Sequence, residues 1–264
     1  MRIPTTNISR NLSVWCALLS LVILLPAFQH GWIHAASDTL RLGLSPENYR
    51  EDTVPEGWSL RKRSRETRGA KAKWVTEDRV RAVMLHSKAT LTFLEKRIDI
   101  DIREYPIVAW KWKVENILQG INERSQEGDD HPIRIFFVFK PGESSQSFWS
   151  KLKRFLYLDR LHGHPVGGRF IEYLWSSNLK PGDVISDPGK PWQKFIVIEG
   201  GEENLGRWLS YRRNLYKDFK HLYGEEPRRL IFIGILNDTD QTGQEAVSFI
   251  SDLKFCRDIQ CGNR

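Results

Sequence analysis

The residues with the clearest chemical potential form an acidic turn near the C-terminus. Asp238, Asp240 and Thr242 place hard oxygen atoms at alternate positions, and Gly243 follows at the bend. Calcium-binding loops begin in the same way. The full EF-hand pattern fails, because the twelfth position counted from Asp238 is Phe249 and not a glutamate. Two interpretations therefore stand: a calcium turn completed by a distant carboxylate, or a turn whose Asp side chains hold backbone amides.

Asp129 and Asp130 are the distant carboxylates that would complete such a site. They precede an apolar segment, Ile133–Phe139, in which Arg134 is the only charged residue. A pair of carboxyls also serves glycoside hydrolases, which need them about 5–9 Å apart across a sugar cleft. The alternative is a solvated loop beside the start of a strand.

Aromatic residues offer a second kind of site, in which a flat ring stacks on a sugar. Trp110 and Trp112 share one face of a predicted strand. Tyr173 and Trp175, in a strand predicted over Phe170–Ser176, are further candidates. These rings line either the core or a concave ligand-binding face.

Arg212, Tyr216 and Asp218 are polar or aromatic candidates on a helix predicted near residues 209–223. Four positions separate Arg212 from Tyr216, so the two would share a helix face. The alternative is ordinary pairing and packing on a helix surface. Gly224 is expected to cap this helix.

Signals for covalent or phosphate chemistry are absent from the sequence. It contains no Gly-x-Ser-x-Gly motif, no phosphate-binding glycine loop and no dinucleotide fingerprint. His162 and His164 flank Gly163, but most histidine pairs at this spacing are incidental. A binding protein is therefore favoured over an enzyme, and the sequence leaves the question of catalysis open.

The elements that carry these residues are mostly strands. Ile98, Ile100 and Ile102 alternate with polar residues, which is the clearest strand pattern in the chain. Strands outnumber helices and do not alternate with them. This favours a mostly β fold: a two-sheet antiparallel β-sandwich, jelly-roll-like, with two helical insertions.

The two helices are expected near residues 147–161 and near residues 209–223. The first has apolar residues at spacings of three and four. Its basic and aromatic stretch, residues 148–158, either packs on the sheets or contacts a membrane surface.

The N-terminus predicts export. Arg2 and Arg10 are its only charges, an apolar run follows over Leu12–Phe28, and Ala35 and Ala36 are small residues at a candidate cleavage site. Residues 1–36 are therefore expected to be an export signal peptide or an uncleaved membrane anchor. Residues 37–264 are expected to form a single periplasmic or secreted domain.

Cysteine use and charge agree with an exported protein. Cys256 and Cys261 are the only cysteines outside the predicted signal. In an oxidising compartment we expect them to form a disulfide that pins the C-terminal tail, with two unrelated thiols as the alternative. The net charge is +7, and loss of Arg2 and Arg10 would lower it by two. This mild charge predicts no nucleic-acid partner.

An ordered set of short motifs runs through most of the chain. The motifs are Ile107–Val114, Asp129-Asp130, Tyr173–Trp175, Arg212–Asp218, Gly224–Pro227 and Asn237–Gly243. Together they resemble the bacterial exported family called domain of unknown function 3047 (DUF3047), over roughly residues 38–256. The resemblance implies a type of protein but supplies no mechanism. The tail Phe249–Phe255 is also similar to the last strand of galactose-binding-like jelly rolls and related carbohydrate-binding modules, which implies a sugar ligand.

The favoured function is that of a non-catalytic glycan- or ligand-binding protein of the cell envelope. The alternatives are a glycan-acting hydrolase that uses acidic residues, and a structural or assembly protein of the envelope. The expected partner is a glycan or another envelope polymer, and calcium is the only cofactor that the sequence suggests.

Overall fold

The computed structural model describes residues 38–61, 69–125, 129–140, 168–186 and 190–261. These residues belong to one compact unit, Ser37–Arg264. The predicted signal, the predicted helix near residues 147–161 with its surface at 148–158, and the histidine pair all lie outside the described residues. Within the described ranges, no helix combines the length and the apolar character needed to cross a membrane.

The described chain is built mainly of strands. They are β1 (Thr39–Arg41), β2 (Ser59–Arg61), β3 (Lys71–Glu77), β4 (Val80–Lys88), β5 (Leu91–Ile100), β6 (Ile107–Val114), β7 (Ile133–Phe139), β8 (Arg169–Ser176), β9 (Val184–Ser186), β10 (Gln193–Gly200), β11 (Leu209–Asn214), β12 (Leu230–Asp238) and β13 (Glu245–Cys256). One α-helix, α1 (Leu215–Tyr223), and a short 3-10 turn, Pro46–Asn48, complete the described elements.

Two sheets contain all of these strands. The first sheet has the order β11-β6-β13-β4-β3, and β1 pairs with the far end of β13. The second sheet has the order β2-β5-β12-β7-β8-β10-β9. The predicted two-sheet, mostly β fold is confirmed.

The prediction of an antiparallel fold is wrong for one pair of strands, because β10 runs parallel to β8. The reason lies in β9, which pairs antiparallel with β10 on the side away from β8. The chain therefore leaves β8, reverses direction through β9 and enters β10 in the direction of β8.

The two sheets pack face to face through large aromatic rings. Trp110 of β6 stacks on Tyr173 of β8 with ring centroids 5.6 Å apart, and Trp112 lies 6.2 Å from Trp175. All four side chains are buried. Their alternation along β6 and β8 is the period of two that one buried sheet face requires, and rings of this size remove much apolar surface from water.

The outer face of the second sheet is also apolar over much of its area. Phe136 and Val138 of β7, Phe170 of β8 and Phe93 of β5 form a second buried cluster there. Gly234 of β12 makes room for it, since a β-carbon at this position would lie 2.2 Å from the ring of Phe93. Strand β7 is therefore buried along its whole length, as its almost continuous apolar sequence predicts.

Helix α1 begins later than the sequence predicts. Residues 209–214 form β11, an edge strand paired with β6, and only then does the helix start. Asn214 caps it, because its side-chain oxygen accepts a hydrogen bond from Lys217 N at 2.8 Å. Gly224 ends it in the left-handed conformation with φ 65°, which confirms the predicted cap.

The predicted disulfide between Cys256 and Cys261 is present. Cys256 is the last residue of β13, and both cysteines pack against Ile107 and Ala109 on the outer face of the first sheet. The bond therefore folds the C-terminal tail back onto β6.

Candidate functional site

A buried arginine organises the polar end of the second sheet. Arg134 of β7 is 2% exposed. Its guanidinium donates hydrogen bonds to Asp129 Oδ1 at 2.8 Å and to Asp238 Oδ2 at 2.9 Å, and it lies 3.5 Å from Glu172 Oε2. We call these four residues the Arg134 cluster. Arg134, Glu172 and Asp238 are buried, which is tolerable only because opposite charges lie close together there, whereas Asp129 stays partly exposed.

The strand register brings these residues together. Arg134 pairs with Leu236 of β12 on one side and with Leu174 of β8 on the other. Asp238 and Glu172 each lie two residues from those partners, so they occupy diagonal positions on the same sheet face as Arg134. Asp129 reaches the cluster from the loop before β7.

Like Asp238, Glu172 is a buried carboxyl of the cluster. It is 1% exposed, and this burial raises the pKa of its carboxyl, although the nearby Arg134 acts in the opposite direction. Gln193 Nε2 donates to Glu172 Oε1 at 2.7 Å. The protein therefore holds an acid with an elevated pKa beside a fixed positive charge.

A second buried polar group lies beside the cluster. Glu123 accepts hydrogen bonds from the ring of His131 at 3.1 Å, from Ser176 Oγ at 2.5 Å and from Ser177 N at 2.8 Å. Burial alone would raise the pKa of the Glu123 carboxyl, but these donors outweigh it and hold the pKa below its usual value. Glu123 is thus an ionised anchor that fixes the orientation of the His131 ring.

These groups border a polar cleft with a cavity volume of about 220 Å³. The cleft lies between the loop before β7 and strands β9 and β10. It is lined by Glu123, Arg124, Ser125, Asp129, His131, Ile185, Ser186, Lys190, Gln193 and Phe195. The lining combines carboxylate, amide, imidazole and hydroxyl groups and the cations Arg124 and Lys190 with one phenyl ring, which is chemistry suited to a ligand rich in hydroxyl groups.

The acidic turn lies next to this cleft. Carboxylate oxygens of Asp130, Asp238 and Asp240 lie within 4.8 Å of one another. The protein's own donors already engage them: Thr242 N donates to Asp130 at 2.7 Å, and Arg134 holds Asp238. The convergence fits the oxygen ligands that calcium prefers, and the hydrogen bonds equally fit a turn stabilised by Asp side chains. Calcium binding stays a hypothesis.

The predicted aromatic platform is not at a surface. Trp110, Trp112, Tyr173 and Trp175 are at most 2% exposed and fill the core between the sheets. The core interpretation is therefore correct and the stacking interpretation is wrong, because a ligand would have to open the sandwich to reach these rings. The Tyr173 hydroxyl donates to Asp218 at 2.5 Å, which satisfies a buried polar group.

Arg212, Tyr216 and Asp218 do not come together as predicted. Arg212 lies on β11, so it shares no helix face with Tyr216. Tyr216 donates to Glu226 at 2.9 Å, and Asp218 accepts from Tyr173 and from Arg213. None of the three lines the polar cleft.

Sequence reasoning missed most of the cleft and most of the Arg134 cluster. It did not select Glu123, His131, Arg134, Glu172 or Gln193. Two of them carried a usable signal: Arg134 is the only charge in β7, and Glu172 is the only charge in β8 after its first residue, Arg169. A charge in such a strand must find a buried partner, so pairing the two lone charges would have located the cluster.

A comparison of the sequence with family models gives one match, to the proteins of unknown function DUF3047, over residues 56–254. The chain belongs to the DUF3047 family. The matched segment contains every residue of the Arg134 cluster and of the polar cleft, and the predicted resemblance is confirmed. No curated protein matches the sequence.

Solved structures that resemble this DUF3047 protein share little sequence with it. The family 11 carbohydrate-binding module of the cellulase Lic26A-Cel5E of Clostridium thermocellum is 7% identical, with a TM-score of 0.40 over 85% of this chain and 97% of the module. The family 30 module of Cel9D-Cel44B from the same organism is 10% identical, with a TM-score of 0.40 over 80% and 96%. The xyloglucanase domain of NopAA from Sinorhizobium fredii is 8% identical, with a TM-score of 0.39 over 78% and 97%. At these values, function has to be argued from the site itself.

Proposed function

We propose that this protein is an exported, non-catalytic binding protein of the cell envelope and that its polar cleft binds a sugar unit of a glycan. The observation that carries the proposal is the Arg134 cluster, a costly set of buried charges that supports one side of an open cleft. Buried charge is weak evidence for stability. It is better explained as a means of holding Asp129 and Gln193 in fixed positions for a ligand.

The groups at the cleft match the needs of a sugar. Asp129 offers carboxylate acceptors, His131 and Gln193 offer planar polar groups, and Phe195 offers an apolar ring face. Each polar group is oriented by a hydrogen bond to a buried neighbour. Such preorganisation reduces the entropy that binding would otherwise cost.

The size of the cleft limits the ligand. Its volume of about 220 Å³ is below the roughly 300–1,000 Å³ of sites for drug-sized molecules. One sugar ring or one chain end is therefore the expected occupant, with the remainder of the glycan outside.

A hydrolase is the second candidate, and one observation favours it. Glu172, whose pKa is raised, and Asp129 approach the same guanidinium nitrogen of Arg134, at 3.5 and 2.8 Å. An acid with a raised pKa near an ionised carboxylate is the pair that glycoside hydrolysis uses. Binding is favoured over hydrolysis because the carboxyl of Glu172 is buried, is held at Oε1 by Gln193 and is not part of the cleft lining.

The test is glycan-array binding by the protein purified from an export-competent host. Asp129→Asn removes the cleft carboxylate with little change in shape, and Asp78→Asn is the matched control on the first sheet. We expect the first variant to weaken binding about tenfold and the second to leave it unchanged. Equal affinities for both variants, or no glycan bound by the wild type, would sink the proposal.

A reducing-end assay on each bound glycan separates the two candidates. Turnover by the wild type that is lost in Glu172→Gln would replace the binding proposal with the hydrolase. Export is tested by fractionation of cells that express the full chain or a chain lacking residues 1–36. Periplasmic recovery of the truncated chain would contradict the assignment of this segment as the signal.

A further inference from the structure

The buried carboxyl of Glu123 acts only as a hydrogen-bond acceptor. Its Oε1 accepts from the backbone N–H of Ser177 at 2.8 Å, and its Oε2 accepts from that of Asn178 at 3.1 Å. Ser176 Oγ lies 2.5 Å from Oε2. This hydroxyl already accepts from the N–H groups of Asn178 and Leu179, so both of its lone pairs are in use and its own proton points to the carboxyl. All three of these partners are therefore donors.

The remaining partner of this carboxyl is the ring of His131. Its Nδ1 lies 3.1 Å from Glu123 Oε1, and because the carboxylate has no proton to give, Nδ1 carries the proton of this hydrogen bond. The backbone also holds the residue in place, since the carbonyl of His131 accepts from Asp238 N at 3.0 Å. In a neutral ring, a proton on Nδ1 leaves Nε2 with its lone pair. The contacts of Glu123 thus fix Nε2 as an acceptor.

Nε2 of His131 is open to the polar cleft. It has no hydrogen-bond partner among the residues that the structure describes, and it is not among the polar atoms that are buried without a partner. The residue is only 1% exposed and lines the cleft. The small accessible part of His131 therefore includes Nε2, which faces the space that a ligand would fill.

Acceptors and donors both line the cleft around this ring. Gln193 donates its side-chain N–H to Glu172 at 2.7 Å, so its amide oxygen remains as an acceptor. Asp129 adds a carboxylate, and Arg124 and Lys190 add cations that can only donate. A carboxylate or phosphate of a ligand can only accept, and an ammonium can only donate. A hydroxyl does both, so it is the group that this mixed lining fits.

We propose that His131 is a specificity-determining residue of the cleft, where its Nε2 accepts a hydrogen bond from one free hydroxyl of a neutral sugar. This role rests on the proposed glycan-binding function and narrows the class of its ligand. An ether oxygen or an oxyanion at the same place has no hydrogen to donate and leaves Nε2 unpaired. Sugars that are methylated or sulfated at the recognised hydroxyl are therefore rejected.

The position of the ring proton can be measured without any ligand. Nitrogen-15 NMR of the imidazole rings in the full-length protein, at about pH 8 where such rings are ordinarily neutral, distinguishes a proton on Nδ1 from one on Nε2. We expect the proton of His131 on Nδ1. His86 is the internal reference, because its Nε2 lies 2.7 Å from Glu245 Oε1 and should carry the proton instead. A proton on Nε2 of His131 overturns the assigned role and leaves the proposed function intact.

Binding is tested with methyl glucoside, methyl galactoside and methyl mannoside and with the singly deoxygenated forms of each. We expect at least one parent sugar to move the Nε2 resonance of His131. One of its deoxygenated forms should leave that resonance in place and bind about tenfold more weakly, since it lacks the donor. A sugar that binds without moving the resonance overturns the role of His131 alone. Binding by none of these sugars and by no glycan of the array overturns the proposed function as well.

His131→Asn removes the acceptor and keeps the anchor, because its side-chain N–H can replace Nδ1 and donate to Glu123. The variant should bind the parent sugar about tenfold more weakly and the deoxygenated sugar as the wild type does. His86→Asn is the matched control and should leave both affinities unchanged.

Circular dichroism establishes that both histidine variants are folded. If His131→Asn does not fold, the comparison of parent and deoxygenated sugars on the wild-type protein still decides the outcome. An equal loss of affinity for both sugars in a folded His131→Asn variant would mean that the histidine only shapes the cleft, which contradicts the assigned hydrogen bond.

Discussion

Two clusters in this protein have the same composition, one cation and three carboxylates, but differ in their exposure to water. On the first sheet, the ammonium of Lys113 lies 2.6–2.8 Å from its partners. Those partners, Glu77, Asp78 and Glu115, have side chains that are 30%, 56% and 38% exposed. On the second sheet, the partners of Arg134 are Asp129, Glu172 and Asp238, whose side chains are 31%, 2% and 0% exposed. Both cations are buried, and the clusters differ in how far their carboxylates are exposed to water.

The difference in exposure makes the Arg134 cluster, and not the Lys113 cluster, the candidate for a functional site. Around Lys113, burial alone would lower the pKa of the ammonium, but three hydrogen bonds to hydrated carboxylates outweigh it and raise that pKa. Water solvates the excess negative charge, and the cluster simply joins a turn to a strand. Around Arg134, water is excluded from Glu172 and Asp238, and burial raises the pKa of Glu172. Groups kept in such an environment next to a cleft are candidates for a functional site.

Removal of the cation from each cluster should give the largest difference in unfolding free energy between the two clusters. Arg134→Met leaves Glu172 and Asp238 buried without their cation and should cost about 3–5 kcal/mol of unfolding free energy. Lys113→Met leaves carboxylates that water can solvate and should cost about 1 kcal/mol. Urea unfolding of both variants measures the difference. Equal losses would erase the distinction between the clusters, and partial recovery in Arg134→Met with Asp238→Asn would assign the loss to stranded charge.

The pH dependence of stability should distinguish the clusters next. A carboxyl with a raised pKa is still protonated in the folded protein at a pH where the unfolded chain has lost that proton. The contribution of Glu172 to folding stability therefore falls as the pH rises from its ordinary pKa of 4.5 toward its raised pKa in the folded protein. Glu172→Gln should remove this decline and gain up to about 1 kcal/mol at neutral pH. Chemical denaturation across that range is the measurement, and an unchanged slope would contradict the assigned cause.

Asp129 and Asp78 are partly exposed carboxylates, one in each cluster. Their substitution should affect folding stability equally and glycan binding differently. Asp129→Asn and Asp78→Asn should each change the unfolding free energy by no more than about 0.5 kcal/mol, because water still reaches both positions. Only Asp129→Asn should weaken glycan binding. Loss of binding in Asp78→Asn would show that the Lys113 cluster, and not the Arg134 cluster, supports the glycan.

Added calcium should have the smallest effect of all on the stability of the protein. The carboxylates of the acidic turn already accept hydrogen bonds from Arg134 and from the amides of Gln241 and Thr242. We therefore expect the same thermal midpoint in excess calcium and in a chelator. A midpoint raised by calcium would establish the cation site and would mean that the ion competes successfully with these donors.

Local pattern predicted much of the fold and part of the site. The alternation on β6 placed Trp110 and Trp112 on one face, the two cysteines left outside the predicted signal predicted the disulfide, and Gly224 marked the end of α1. The start of that helix was mispredicted, because Leu209–Asn214 reads as helix in isolation and becomes a strand only by pairing with β6. Propensity is a weak prior that such tertiary contacts override.

By itself, the sequence determined a mostly β chain, a disulfide in the tail and an acidic turn with hard oxygen atoms. Only the tertiary structure decided which charges meet. Asp129, Arg134, Glu172 and Asp238 lie on separate segments, and they come together because β8, β7 and β12 align in one register. The aromatic rings that would suit a sugar were assigned to the core for the same reason, since facing sheets must bury them. The period of two predicts the face of the sheet on which a side chain lies. Its neighbours on that face depend on the order of the strands, which no local pattern encodes.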